Sequence, residues 1–352
     1  MTPLTPHRST SDVRWDLSGT GNLFVPNAKL CALVAGVASI VDFTTKGSPD
    51  AAPVRQSLAA TLRVPDDWIS VGAGSASVID AVLRYFRDRT IVDVVPNFHL
   101  AWTVAERDGR QRVPLAIRHT AELLPAIRGT RLCDQECIII LSSPQSVFGH
   151  VFTRAQIADV LRSTRWIVIV DEAYVDFGRT NLLSLARGSD RVLIVRTLSK
   201  AWGVADLRIG FVVAQCLGDA FRRRFLLPYA VGALQQLVAI HLLQQPAIIA
   251  QSVAALRNHR QRFIRGLRRV PSAVVWPSSA NFVFLEHPHV ERWATALRQC
   301  GIITTAAHEL RTFPPEWPSG MRIAVPPPHV QDRIVAVGRD ITRKWGRTDG
   351  TI

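Results

Sequence analysis

Lysine is scarce in this chain: Lys29, Lys46, Lys200 and Lys344 are the four present, and arginine supplies the other 38 of 42 basic side chains. Such a bias reads as GC-rich codon usage, with arginines spread over solvated helix faces. Any lysine inside a motif therefore stands out. Acidic residues are also few, 28, which leaves a formal charge of +14 and asks for an anionic partner or a compositional cause. Long apolar runs are missing. The longest uncharged one, Leu30 to Val41, has 12 residues between Lys29 and Asp42, short of the roughly 20 that a bilayer span needs. Met1 to Ser11 lacks the basic-then-apolar plan of a secretory leader, so a cytoplasmic protein is expected. The five cysteines (Cys31, Cys133, Cys137, Cys216, Cys300) form an odd, scattered set, which argues against a disulfide framework. Cys133 and Cys137 have no His or Cys pair at zinc spacing beside them, so incidental thiols are expected and no metal site. Internal repeats and low-complexity tracts are lacking too.

What is present is a globular balance, 47% hydrophobic and 20% charged. At roughly 100 to 200 residues per domain, 352 residues allow two or three domains. Thr90 to Val95, Cys137 to Ser142, Trp166 to Val170 and Arg191 to Arg196 are short, almost wholly apolar runs, the pattern of parallel strands covered on both faces. Between them lie helical patterns, Ser75 to Phe86 and Thr153 to Arg162, the second opening on a Thr cap. The alternation predicts an α/β fold: a large domain, residues 45–244, with a mostly parallel central sheet covered by helices. From Phe221 the pattern turns to long helices broken at Pro228 and Pro246. A strand (Phe282 to Glu286), a helix (Val290 to Cys300) and another strand (Met321 to Val325) follow. Residues 245–352 with 1–44 are read as a smaller α+β domain, with a frayed tail after Trp345.

Three candidate sites fall at strand ends, where ligands collect in such sheets. The run Trp166 to Asp171 delivers a carboxylate at its end, followed by Tyr174. A buried carboxylate needs a cation or a donor, and a helix cap satisfies the same pattern. The run ending at Thr197 continues through Ser199 and Lys200 to Arg208. Neighbouring cations in a desolvated site favour the neutral amine that carbonyl condensation requires. Third, Gly72-Ala-Gly74-Ser75-Ala76 joins a strand to a helix, and free amides at a helix N-terminus form a phosphate site, although a glycine turn alone is cheap.

A phosphate cradle, a carboxylate, a phenol and a lysine, in this order, resemble the fold-type I pyridoxal phosphate-dependent aminotransferases of class I/II, most closely the histidinol-phosphate aminotransferase group. The segments that carry the likeness are Ser48-Pro-Asp50, Gly72 to Ser75, Pro96-Asn-Phe98, Asp171-Glu-Ala-Tyr174, Arg196-Thr-Leu-Ser-Lys200, Leu207-Arg208, Pro228-Tyr229, Ala280-Asn-Phe282 and Arg322. They span about residues 16 to 340. The resemblance implies pyridoxal 5'-phosphate bound to Lys200 as a Schiff base, with Lys200, Asp171 and Tyr174 as catalytic residues. Asp171 would keep the ring nitrogen protonated and Tyr174 would bond the phenolate oxygen. Phe98 would stack on the ring. Gly74, Ser75, Ala76, Thr197, Ser199 and Arg208 would hold the phosphate, and Arg322 the substrate α-carboxylate. Against the last stands a plain surface arginine. The resemblance further implies a homodimer, an amino acid substrate and a 2-oxo acid acceptor, with neither nucleic acid nor membrane as partner.

The chain departs from the family pattern at several places. Ser146 stands where an asparagine normally donates to the cofactor phenolate, and Ser48 where a tyrosine reaches the neighbouring subunit's cofactor phosphate. Leu17 to Phe24 replaces an Asn-Glu-Asn-Pro segment. Thr305 stands where an arginine commonly reads a distal substrate phosphate, which speaks against histidinol phosphate as substrate. Transamination in a specialised biosynthetic pathway is the leading expectation. Decarboxylation, oxidation, elimination or cyclisation on the same cofactor is the alternative, with resemblance extending to threonine-phosphate decarboxylases. The remote alternative is a non-catalytic nucleic-acid-binding relative, motivated by the basic run Arg257 to Arg269.

Overall fold

The computed structural model describes residues 14–345, so the start read for a leader and the tail after Trp345 lie outside the described residues. The large sheet has seven strands: β1 (Ile69–Ala73), β2 (Thr90–Val95), β3 (Arg112–Ala116), β4 (Cys137–Ser142), β5 (Ile167–Asp171), β6 (Val192–Thr197) and β7 (Ile209–Val213), in the order β1-β7-β6-β5-β4-β2-β3. Six of these run parallel. β7 is antiparallel to both its neighbours. The four apolar runs recognised in the sequence lie on β2, β4, β5 and β6, the last two of them shifted by one residue at each end.

Side chains alternate across the sheet, and both faces are covered. In β4, Ile138 and Ile140 enter the core against the helix Ser75–Tyr85, while Ile139 and Leu141 enter the core on the opposite face. In β5, Ile167 and Ile169 go one way, Val168 and Val170 the other. That is why these strands read as unbroken apolar runs. β3 was not predicted. It pairs only with β2, and an edge strand tolerates its Pro114, which cannot donate to a ladder.

The helix Arg154–Ser163 opens on a complete capping box. Thr153 Oγ1 accepts from Gln156 N at 3.2 Å, and Gln156 Oε1 accepts from Thr153 N at 2.8 Å.

A second sheet, wholly antiparallel, contains β8 (Val274–Val275), β9 (Phe282–Glu286), β10 (Thr305–Ala306) and β11 (Gly320–Ala324), in the order β10-β11-β9-β8. Its core takes side chains from the helices Pro246–Leu267, Val290–Gln299 and Pro328–Trp345. Of residues 1–44, assigned above to the smaller domain, the described ones, 14–44, divide between the two. Trp15–Asp16 pairs with Ile302–Ile303 and Leu17 enters the smaller core. The helix Asn27–Ala38 instead places Leu30 and Val37 in the core of the large sheet, with the helix Ala233–Leu243.

The basic run is partly committed to structure. Arg257 and Arg260 bond backbone carbonyls, both of them reaching Phe177, and Arg262 pairs with Asp332 at 2.7 Å. All five cysteines are free. Among the described residues no single helix is long and apolar enough to cross a membrane. The bent pair Ala233–Leu243 and Pro246–Leu267 passes that test jointly, yet both helices bury apolar side chains in the two cores.

Candidate active site

The sheet brings the predicted residues to one edge. Register pairs Asp171 with Ser142 and with Val195, so the carboxyl ends of β4, β5 and β6 finish together. Because β7 runs the other way, its amino end meets the same edge, with Gly210 opposite both Thr197 and Gly72. Arg208, immediately before β7, is thereby delivered beside Thr197 and the turn after β1.

Arg208 sits over the start of the helix Ser75–Tyr85. Gly74, the residue before that helix, has φ +86°, and a Cβ there would collide with the Arg208 guanidinium. A Cβ on Gly210 would collide with the backbone of Gly74 and Ser75. These two glycines let a cation and the unpaired amides of the first helical turn converge. Thr197 Oγ1 lies 3.0 Å from Ser199 Oγ and 2.9 Å from Ile209 O. Arg208 has no carboxylate within ion-pair distance among the described residues.

Asp171 is buried, and its Oδ1 accepts from Ala173 N at 3.0 Å. That bond closes a local turn and caps no α-helix. No cation lies within ion-pair distance among the described residues. Burial pushes the carboxyl up to about 6, against the opposing pull of the Ala173 amide and of Lys200.

Lys200 Nζ donates to Thr20 Oγ1 at 2.6 Å, and Thr20 Oγ1 lies 3.0 Å from Tyr174 Oη. The Lys200 amine stands 5.5 Å from the Tyr174 ring centre. Arg322 donates to Ser146 O at 2.9 Å and to Ser18 O at 3.3 Å, and burial pushes its pKa down. It too has no carboxylate partner among the described residues. Ser146 is buried, and its hydroxyl has no hydrogen-bond partner among the described residues.

A cavity of about 610 Å³ joins these groups. Lys200, Asp171, Tyr174, Phe98, Ser75, Ala76, Ser146, Thr197, Ser199, Arg208 and Arg322 line it, and Gly74 lies directly beneath Arg208. Phe98 is at the rim, 44% exposed. Two residues noted as departures lie elsewhere. Thr305 Oγ1 bonds Ser18 O at 3.2 Å, and Ser48 Oγ accepts from Ala52 N at 3.1 Å, closing the turn into the helix Ala52–Leu62.

Sequence reasoning missed Thr20, and it missed His99, Glu309 and Arg311, which line the outer cavity. Arg311 stacks on Trp102 and stands 3.7 Å from Glu106. Asn97, also on the wall, lies inside a motif already noted. Its Oδ1 accepts from Ser142 Oγ at 2.9 Å and from Phe98 N at 2.8 Å. For Thr20 and Arg311 no local pattern marks the residue.

The chemistry of this donor set suits pyridoxal 5'-phosphate. Three cations without carboxylates match its phosphate, its aldehyde and a substrate carboxylate. A buried carboxylate without a cation matches its ring nitrogen. The orphan Ser146 hydroxyl and the Tyr174 phenol match its phenolate oxygen.

Residues 32–336 match the family model for aminotransferase class I and II. A histidinol-phosphate aminotransferase of Rhodopirellula baltica is 30% identical over 283 residues, 79% of this chain and 76% of the relative. Histidinol-phosphate aminotransferase 1 of Nostoc sp. is 29% identical over 238 residues, and the match spans 66% of each chain. Among solved structures, an L-threonine-O-3-phosphate decarboxylase from Porphyromonas gingivalis superposes with TM-score 0.80 at 20% identity, covering 94% of this chain and 99% of that one. A histidinol-phosphate aminotransferase from Sinorhizobium meliloti in complex with pyridoxal-5'-phosphate gives TM-score 0.78 at 18% identity, with 95% and 92% covered. At these identities the superpositions speak for the fold, and the family match speaks for the class of enzyme: the chain belongs to the class I and II aminotransferases, pyridoxal 5'-phosphate-dependent enzymes of fold type I.

Proposed function

We propose that this enzyme moves the amino group of an amino acid, or a similar amine carrying a carboxylate, to a 2-oxo acid, with Lys200 as the covalent anchor of the cofactor. The observation that carries the assignment is the imbalance of charge around one cavity: among the described residues Lys200, Arg208 and Arg322 have no carboxylate within ion-pair distance, and buried Asp171 has no cation there. When bound, the cofactor supplies a carbonyl that condenses with the substrate amine and a ring that takes up the electrons released at its α-carbon.

The protein's own part follows from position. Arg208, Thr197, Ser199 and the amides of Ser75 and Ala76 hold a phosphate. Asp171 would hold a proton at the ring nitrogen of a bound cofactor, and its own ionised form would be favoured by that cation. Arg322 binds the α-carboxylate with its remaining donors, and the two carbonyls it already bonds fix its plane. Lys200 Nζ takes and returns the α-proton. Phe98 covers the cavity from its rim.

For substrate, we propose an amino acid or amino acid-like amine rather than histidinol phosphate. Thr305 carries no charge, and its hydroxyl is engaged with Ser18. A second reading, in which the same cofactor serves decarboxylation or elimination, draws on the unpartnered Ser146 hydroxyl in place of the usual asparagine. We further propose a homodimer in the cytoplasm, with residues 45–244 and the helix Asn27–Ala38 as the large domain. Exposed Ile40, Phe43, Leu227 and Tyr229 are apolar surface that a second copy would cover.

Incubation of purified holoenzyme with each common amino acid tests the reaction. Release of a 2-oxo acid with conversion of the cofactor to its amine form supports transamination. Release of carbon dioxide without that conversion overturns it in favour of the second reading.

A further inference from the structure

The segment Ser18 to Asn22 lies against the active site as a strap, and besides local bonds at Ser18 and Asn22 it is tied down by long-range ones. Asn281, fully buried, donates through Nδ2 to Thr20 O at 2.8 Å and Gly21 O at 2.9 Å. Asn22 Nδ2 donates to Ala201 O, the residue after Lys200, at 2.9 Å and to Ser252 Oγ at 3.1 Å. Between these clamps Thr20 is 7% exposed, and its hydroxyl meets both Lys200 and Tyr174.

A hydroxyl has one hydrogen and two lone pairs. Either hydroxyl of the Thr20–Tyr174 pair can donate; with Lys200 donating to Thr20 Oγ1, the orientation that gives the Thr20 hydrogen an acceptor runs from Lys200 Nζ to Thr20 to Tyr174 and leaves the phenol's own hydrogen for the cavity. Without this contact the four-carbon lysine stem is free to occupy several rotamers.

We propose that Thr20 is a positioning residue of this active site. Its hydroxyl holds the free Lys200 amine at the cavity wall and aims the Tyr174 phenol inward, so that the enzyme stripped of cofactor is preset to capture it. The proposal rests on the reading of Lys200 as the cofactor's anchor. Capture is the condensation of the Lys200 amine with the cofactor aldehyde: one C=N bond forms, the carbonyl oxygen takes up the two nitrogen protons, and one water leaves.

The test uses full-length protein stripped of cofactor. The rate of covalent capture of pyridoxal 5'-phosphate is followed by absorbance in stopped flow, and the affinity for pyridoxine 5'-phosphate, the alcohol that cannot condense, is measured beside it. Thr20→Val is expected to slow capture about tenfold, the scale of one hydrogen bond. It should lower the affinity for the alcohol by clearly less than it lowers the rate, and Thr20→Ser should restore the rate. If Thr20→Val does not fold, Thr20→Ala is read with the same expectation. Capture at the wild-type rate overturns the proposal. So does a loss of alcohol affinity as large as the loss of rate, because that marks a structural role alone. If wild-type protein and Lys200→Ala give the same spectrum, the anchor reading itself fails, whatever the Thr20 variants show.

Discussion

Asp171 and Glu172 are consecutive buried carboxylates with opposite partners. Glu172 is held 2.8 Å from the Arg196 guanidinium and accepts from Leu182 N at 2.6 Å, whereas Asp171 has one backbone amide and no cation within ion-pair distance among the described residues. Strand alternation puts the two on opposite faces of the sheet edge. The first completes the fold, and the second is left for a ligand.

Asp171 therefore strains the cofactor-free protein. Its folded carboxyl is raised to about 6, so between about 4 and 6 the folded state binds a proton that the unfolded state has released. Its contribution to stability falls as pH rises through that window and is constant above it. Asp171→Asn removes the dependence. Cofactor-free variant protein is expected to unfold at higher urea than wild type at pH 7, by up to about 3 kcal/mol, with the difference vanishing near pH 4. Holding cofactor, the order should reverse. A variant less stable than wild type in the cofactor-free state would contradict the assignment.

Arg208 has φ +51°, so asparagine is the replacement that keeps the backbone at ease. Arg208→Asn is expected to weaken pyridoxal 5'-phosphate binding about 100-fold, the scale of a charge-assisted bidentate contact, and to leave binding of phosphate-free pyridoxal unchanged. Equal losses for both compounds would place Arg208 away from the phosphate.

At Gly210 the argument is steric. Any Cβ would meet the backbone of Gly74 and Ser75, which cannot swing aside as a side chain can. Gly210→Ala should cost about 1 to 3 kcal/mol in urea unfolding and widen the gap between β7 and the helix start. Wild-type stability and cofactor affinity together would show that this close approach is unimportant.

Arg322→Gln should raise KM for the amino acid donor by about 100-fold, while the spectrum of the bound cofactor stays as in wild type. An amine donor without a carboxylate should be unaffected. A fall in kcat for both donors with unchanged KM would remove Arg322 from carboxylate recognition.

Much of the large sheet was legible because β2, β4, β5 and β6 are buried on both faces and so carry unbroken apolar sequence. Site residues on it were legible for the same reason: Asp171 and Thr197 close readable strands, and Tyr174 and Lys200 each follow three residues later. β3 hid behind Pro114, which belongs at an edge. The helix Asn27–Ala38 was misplaced because its apolar surface says that it packs, without saying against which core. Thr20 was invisible, since its partners are 154 and 180 residues away and nothing local to a threonine in a glycine-flanked segment records them.

Four lysines make the central claim directly measurable. Borohydride reduction of the holoenzyme, followed by proteolysis and mass spectrometry, should find the phosphopyridoxyl mass on the peptide carrying Lys200 and on none carrying Lys29, Lys46 or Lys344. Label on one of those three, or on no lysine in protein that has taken up the cofactor, would contradict the account.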